Sequence, residues 1–371
     1  MPVAKNKVKK ISVGSGVEKL PVTPPSKDLA KLVETINKKF GENCVTLGVP
    51  KDDEGNTKEI ERISTGSFSL DLALGGGIPE GRFIEISGAY SSTKTTQALH
   101  IIREAQKKGL RCALADVEGT TDEAFLSAIG VDASSLLYLR PDGMEEACQV
   151  ILDMQRSGEV QLAVLDSIAA MSPNKEQETS MEETVRMGIP QQILGEFFRK
   201  FQANNNRLER EGKRPFTLIG INQLREKIGA YGDPEYTPGG RAKGFTCSVD
   251  IRLRRGDWLS EGTGENKEIV GQVVKFKIEK NKTFKRMQSG EFDFYFAENN
   301  AGIPEFYNDN EKEVVLAGVE WGVIDRAGSW FMYEDNKYQG VKSLVEALKT
   351  DKELMEKLKA EILRLSNHKG E

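Results

Sequence analysis

The chain has 371 residues, of which 38% are apolar and 29% charged, and its formal net charge is −5. This is the composition of a soluble globular protein with one sizeable core and small appendages, and its overall charge gives no support to bulk polyanion binding. Four cysteines (Cys44, Cys112, Cys148, Cys247) without a C-x-x-C spacing, and only two histidines (His100, His368), exclude Cys/His metal motifs and leave a Ser-His-Asp reading almost no basis.

Met1–Pro25 is rich in lysine, serine, glycine and proline without periodicity and reads as a disordered basic tail. Met1–Lys10 is not followed by an apolar run, so no signal peptide is expected, and apolar stretches elsewhere are too short to span a bilayer. The expectation is a cytoplasmic protein, with no membrane partner and reduced thiols. Ser26 is placed to cap a helix running to about Phe40, with Leu29, Leu32, Val33 and Ile36 at helical spacing. Residues 26–59 therefore read as a small arm, ending in the charged linker Lys51–Thr57. From Ile60 to about Glu298 strands and helices alternate, which predicts a mostly parallel sheet covered by helices on both faces. Val249–Arg254, Gly271–Glu279 and Glu291–Ala297 lie closer together and read as an antiparallel extension. Residues 299–371 read as a small separate α+β domain ending in a charged helix, Lys352–Leu365.

Within the alternating region, Arg82–Ser87 is a short apolar strand and Thr96–Lys108 an amphipathic helix. Between them runs Gly88, Ala89, Tyr90, Ser91, Ser92, Thr93, Lys94, Thr95 and Thr96. This is the pattern G-x-x-x-x-G-K-[ST] with threonine at the second glycine. Such loops work because successive backbone N–H groups wrap a phosphate at a helix N-terminus. The lysine reaches the outer phosphates and the hydroxyl joins the shell of a Mg²⁺ ion.

Three further strand ends carry suitable groups, and in parallel sheets catalytic groups gather at such ends. Gln161–Leu165 runs into Asp166, a Walker B arrangement that supports Mg²⁺ through water. Cys112–Ala115 runs into Asp116-Val117-Glu118, where a carboxylate is either a base for the attacking water or a solvated strand-end acid. Phe216–Asn222 ends in Gln223, an amide able to sense a γ-phosphate. Arg225–Gly244 follows, with five glycines and two prolines, a length that marks either a functional loop or a mobile lid. Its Arg225, Lys227, Arg241 and Lys243 suit phosphates, and Ile228 and Tyr231 suit insertion between bases or stacking on them. Pro173–Gly188 reads as a second irregular segment, carrying Arg186 and Met187. The basic run Lys275–Arg286 reads by default as a solvated strand face.

At these residues the chain resembles bacterial RecA-type recombinases over nearly its whole length, from about Ser26 to Leu365. The blocks that carry the resemblance are Ile63–Ile86, the phosphate loop, Leu162–Pro173, Ile221–Gly229, PGGRAKGF, EKNKTFK and Ala327–Tyr333. The resemblance implies a RecA-like P-loop ATPase core of α/β class, with residues 60–298 as that core. It implies a protein that binds ATP and Mg²⁺ between subunits, forms helical filaments on single-stranded DNA, and pairs that strand with homologous duplex. Under it, Lys94, Thr95 and Thr96 bind phosphate and Mg²⁺, Glu118 activates water, and Asp122 and Phe125 contact adenine. Gln223 couples the γ-phosphate to the second DNA-binding loop, 225–244, and the first is 173–188. Lys280 and Lys282 reach a neighbour's ATP, Arg199 and Lys200 lie near DNA, and the N-terminal helix packs on an adjacent subunit.

The departures from the family pattern are Thr93 for glycine, Tyr90 for an acid, Gly244 for a common lysine with Lys243 substituting, and a C-terminus without a strongly acidic tail. A β-branched residue suits positive φ or close phosphate approach poorly. The leading expectation is therefore a DNA-dependent ATPase and recombinase. The alternative is a nucleotide-gated DNA-binding filament that hardly hydrolyses.

Overall fold

A computed structural model of the chain describes residues 26–48, 59–180, 188–226 and 235–368. The Arg186, Met187, Lys227, Ile228 and Tyr231 expectations lie outside these residues. The described residues fall into two compact units that divide between Lys58 and Glu59.

In the first unit, helix α1 (Lys27–Phe40) begins where Ser26 Oγ accepts from Leu29 N at 3.2 Å. Its end is tied by Asn37, whose amide exchanges two hydrogen bonds with the Val45 backbone at 2.9 and 3.0 Å. No residue of α1 is buried, and Leu29, Leu32 and Phe40 are exposed.

The second unit opens with a two-stranded ladder, β1 (Arg62–Ile63) and β2 (Ile78–Pro79), around helix α2 (Phe68–Leu74). The strands β3 (Phe83–Gly88), β4 (Cys112–Asp116), β5 (Leu137–Leu139), β6 (Leu162–Asp166) and β7 (Thr217–Gln223) then alternate with helices. These are α3 (Lys94–Lys107), α4 (Glu123–Ile129), α5 (Met144–Ser157), α6 (Asn174–Glu178) and α7 (Ile189–Arg210). A short ladder, β8 (Arg225–Glu226) and β9 (Glu235–Tyr236), and helix α8 (Gly240–Thr246) lead to β10 (Val249–Glu261), β11 (Glu268–Asn281), β12 (Ser289–Tyr295) and β13 (Tyr307–Asn308). Nine strands form one sheet in the order β13-β12-β11-β10-β3-β7-β6-β4-β5. It is parallel from β10 to β5 and antiparallel from β10 to β13.

The central parallel strands read as near-continuous apolar runs, broken in β3 by Glu85 and Ser87, because both of their faces are covered. Period-two alternation sorts their side chains. Ile84, Ile86, Leu114, Val164 and Ile221 join α3 residues Leu99, Ile101 and Ile102 on one face. On the other face Phe83, Ala113, Ala115, Leu165 and Leu218 join Ile151 of α5 and Phe197, Phe198 and Phe201 of α7. There the Phe83 and Phe198 rings sit 4.6 Å apart.

Two segments expected to be irregular contain regular structure: α6 starts directly after Pro173, and the β8–β9 ladder and α8 frame the loop after Gln223. The last stretch builds helices α9 (Asn310–Glu320), α10 (Gly340–Thr350) and α11 (Lys352–His368) on a three-stranded sheet of β14 (Asp325–Ala327), β15 (Trp330–Tyr333) and β16 (Asn336–Gln339). Its core is not self-contained, since Phe68 of α2 is buried within it and Leu72 packs against it. No helix among the described residues is long and apolar enough to cross a membrane.

Candidate nucleotide site and its neighbourhood

Gly88 closes β3 and cannot carry a side chain: a Cβ there would come within 2.4 Å of both Leu253 O and Ser92 Oγ. The loop then curls on itself. Ser92 Oγ donates to Ala89 O at 2.8 Å and Lys94 Nζ donates to the same carbonyl at 2.7 Å. Burial holds the Lys94 amine below its ordinary pKa, against the opposing pull of Asp166 and Glu118. Tyr90 projects from the loop at 94% exposure.

Thr93 stands immediately before α3 with φ 63° and ψ 20°, in the left-handed region. Its hydroxyl donates to Ser92 O at 2.6 Å and makes no cap to the helix. The substituted position is thus one where the backbone takes the conformation that favours glycine.

The parallel register brings the strand ends together, pairing Gly88 with Gln223 and Asp116 with Asp166. Thr95, in the first turn of α3, donates its hydroxyl to Asp166 Oδ2 at 2.7 Å. Burial, joined by the charges of Glu118 and Asp116, pushes the Asp166 carboxyl up to about 6. A hydroxyl and a carboxylate side by side, in a carboxylate cluster short of positive charge, suit a hard divalent cation held mainly by phosphates and water. Among the described residues no cluster of three His, Cys, Asp or Glu side chains forms a metal cage.

The two acids after β4 separate cleanly. Asp116 is buried, and its carboxylate accepts from Gly119 N at 2.8 Å, Thr121 N at 2.9 Å and Tyr138 Oη at 2.6 Å. Burial raises its pKa, but these donors outweigh it and hold the carboxyl below the usual range. Asp116 therefore shapes the turn. Glu118 is exposed, and its Oε1 accepts from Ser167 Oγ at 2.6 Å and from Gln223 Nε2 at 3.1 Å. Ser167, which the sequence reading did not single out, is one of the two groups that aim this carboxylate.

Asp122 caps α4, accepting from Phe125 N at 2.8 Å. Phe125 is half-buried and meets Phe306 edge-on, with centroids 5.0 Å apart. Thr96 is half-buried in the first turn of α3. Lys280 Nζ donates to Gly244 O at 2.6 Å and Lys282 Nζ to Phe245 O at 2.8 Å, so in this chain alone both lysines clasp the end of α8.

Of the residues expected at DNA, Arg199, Lys200, Arg225 and Arg241 are exposed. Lys200 pairs with Glu196 one helical turn before it at 2.5 Å. Lys243 corrects the expectation. It is 3% exposed and its amine is committed to Glu85 and to Thr237 Oγ1, so it has no surface from which to meet a phosphate. Sequence alone gave no signal of this, because the partner acid lies on a strand far back in the chain.

Models of the RecA N-terminal domain and the RecA C-terminal domain match residues 27–301 and 312–367. The chain is 39% identical to Protein RecA of Wolinella succinogenes over 341 residues, covering 91% of this chain and 90% of that protein. It is 39% identical to Protein RecA of a Nitratiruptor species over 347 residues, covering 92% and 94%. Protein RecA of Helicobacter pylori is 38% identical over 341 residues, 91% of each chain. Among solved structures, the crystal structure of the RadB recombinase is similar over 66% of this chain and 99% of that one, at 21% identity and a TM-score of 0.46.

Proposed function

The chain belongs to the RecA family, with the recombinase and ATPase role of that family, and from that premise we propose how its own residues perform it. The chain binds ATP with Mg²⁺, assembles as a helical filament on single-stranded DNA, and hydrolyses ATP in response to that DNA. In that filament it pairs the bound strand with homologous duplex and exchanges strands. The observation that carries the reading is the convergence of Ser167 and Gln223 on one oxygen of Glu118, beside the Thr95–Asp166 contact. Two donors fix the Glu118 carboxylate so that its other oxygen is available to take a proton from water. Gln223 lies between this base and the loop that follows β7, so its amide is the group through which DNA contact reaches the base. Gly88–Thr96 hold the phosphates, with Thr95 and Asp166 beside the cation, which neutralises phosphate charge when bound. Asp122 and Phe125 take the base of the nucleotide, while Lys280 and Lys282 exchange their carbonyl partners on α8 for a neighbouring subunit's nucleotide.

The test is ATP hydrolysis with and without single-stranded oligonucleotides, alongside binding measured across salt concentrations. ATP-dependent, salt-sensitive binding and DNA-stimulated turnover are expected. Absence of ATP-dependent binding would overturn the reading. Thr93 favours a second reading, a nucleotide-gated filament with little hydrolysis, because its left-handed backbone strains the loop that must close on phosphate. DNA binding with ATP but negligible turnover selects that reading.

A further inference from the structure

A buried ion pair joins the strand that feeds the phosphate loop to the segment that closes the second DNA loop. Glu85, on β3, is 2% exposed and Lys243, on α8, is 3% exposed. Lys243 Nζ donates to Glu85 Oε1 and, at 2.6 Å, to Thr237 Oγ1. The same Glu85 oxygen accepts from Asn222 Nδ2 at 2.9 Å, and that amide nitrogen also donates to Pro238 O at 2.9 Å. Asn222 directly precedes Gln223, whose amide donates to Glu118. Gly239 makes room for the lysine: its φ is +114°, and a Cβ there would lie 2.8 Å from Lys243 Cδ. Outside this cluster Glu235 of β9 pairs with Arg254 of β10 at 2.5 Å, pinning the same arm of the loop to the sheet.

Burying two charges to hold a loop is a poor route to stability, since an apolar pair of similar volume commonly does as well. What the pair supplies is a fixed geometry. One carboxylate oxygen is shared between Lys243, which carries the loop exit, and Asn222, which carries the sensor strand. We propose that Glu85 and Lys243 are positioning residues that form a latch, transmitting displacement of Thr237–Gly240 through Asn222 to Gln223 and so to Glu118. The proposal rests on the DNA-dependent ATPase reading above. A loop exit that moves on DNA must carry Lys243 and Pro238 with it. Lys243 shares Glu85 Oε1 with Asn222 and Pro238 O accepts from Asn222 directly, so the sensor strand end moves in concert.

The experiment uses the full chain and the double substitution Glu85→Gln/Lys243→Met, which removes both charges and keeps an unbranched side chain one atom shorter at 243. Four quantities are read: Tm, ATP affinity without DNA, the ratio of turnover with and without single-stranded DNA, and the ratio of DNA Kd with ADP to that with ATP. Because coupling between two ligands is reciprocal, the last ratio reports the latch even where hydrolysis is slow. The expected result is a near-parental Tm and DNA-free ATP affinity with both ratios reduced by about 10-fold, within the usual range of coupling factors. A folded double variant whose ratios match the parent overturns the latch and leaves a merely structural pair. Should the double variant fail to fold, Thr237→Val removes the tie from Lys243 to the loop exit and keeps the pair. It is expected to lower both ratios by about 3-fold at unchanged Tm, and unchanged ratios there also overturn the proposal. A parent chain with neither ratio above unity fails the underlying reading itself and takes the latch with it.

Discussion

A threonine at φ 63° pays a steric penalty that glycine at the same place does not. Strain of this kind is on the order of 1–3 kcal/mol. Glycine, however, loses roughly 0.5–1 kcal/mol more conformational entropy on folding, so Thr93→Gly should leave global stability unchanged or raise it by up to about 2.5 kcal/mol. The gain belongs in the loop's closure on phosphate. Thr93→Gly is therefore expected to raise kcat/KM for ATP in the presence of single-stranded DNA by about 5- to 30-fold, with Tm unchanged or raised, as read by steady-state hydrolysis and thermal melting. An unchanged kcat/KM would show that another residue limits the loop. Glu118→Gln keeps an acceptor for Ser167 and Gln223 but removes the base, so turnover should fall by about 10²- to 10⁴-fold with ATP affinity retained. At this scale the loop and the strand-end acids were legible because a phosphate loop and its neighbours sit at fixed places along the chain. Whether a carboxylate after β4 is a base or a solvated acid was not legible from the residues, and only the family resemblance named Glu118, since the roles depend on which carboxylate the backbone N–H groups of Gly119 and Thr121 and the Tyr138 hydroxyl reach. Lys243 was misread for a related reason: a basic residue in a glycine-rich loop looks solvated until the acid that buries it is located.

Among the elements, the parallel strands β3, β4, β5, β6 and β7 could be read from their apolar runs to within a residue or two, although β3 carries Glu85 and Ser87. In the antiparallel part β10 extends to Glu261 and β11 starts at Glu268, beyond the stretches read from sequence, and β13 was not legible. The two-residue ladders β1–β2 and β8–β9 carry no such pattern and are fixed only by partners elsewhere. The junction of α2 with α9 was equally hidden, and it carries a pH dependence. Glu313 of α9 is 5% exposed and one of its oxygens accepts from Ser67 Oγ at 2.8 Å and Ser69 N at 2.6 Å, while the other has no partner. Burial pushes its carboxyl up to about 8, beyond what those donors recover. A raised folded pKa means the folded state holds the proton more tightly, so this contribution to stability is full below the unfolded value and is lost as pH rises toward about 8. Glu313→Gln should be no more stable than the parent at pH 5 and about 1–3 kcal/mol more stable at pH 8, as measured by urea unfolding. His100 of α3 has the opposite sign. Its Nε2 bonds Phe306 O at 2.7 Å, and burial, reinforced by Arg103, pushes its pKa down to about 3. The unfolded state then binds the extra proton, so stability falls as pH drops below the ordinary histidine value. His100→Gln is expected to flatten that acid limb and leave the alkaline one in place, on the same unfolding measurement.

For the whole molecule, a net charge of −5 opposes approach to a polyanion, so DNA affinity must come from where the cations stand. Arg225 and Arg241 flank the loop after Gln223 and are exposed. Lys200, by contrast, spends part of its charge on Glu196. Each cation that displaces counterions from a single strand contributes about 0.7 to the slope of log K against log salt. The Arg225→Ala/Arg241→Ala variant is therefore expected to lower that slope by about 1.4 and to weaken binding at low salt more than at high salt, with DNA-free ATP affinity retained. Fluorescence anisotropy of a labelled oligonucleotide across a salt series reads both quantities. The same measurement on Lys200→Ala should give a smaller change in slope, because a lysine already paired with Glu196 neutralises less phosphate charge than a free cation does. A parental slope in the double arginine variant would place the DNA contacts elsewhere. It would also sever the argument that the arms of the loop, held by Glu235 and Lys243, are aimed at the nucleic acid in order to report on it.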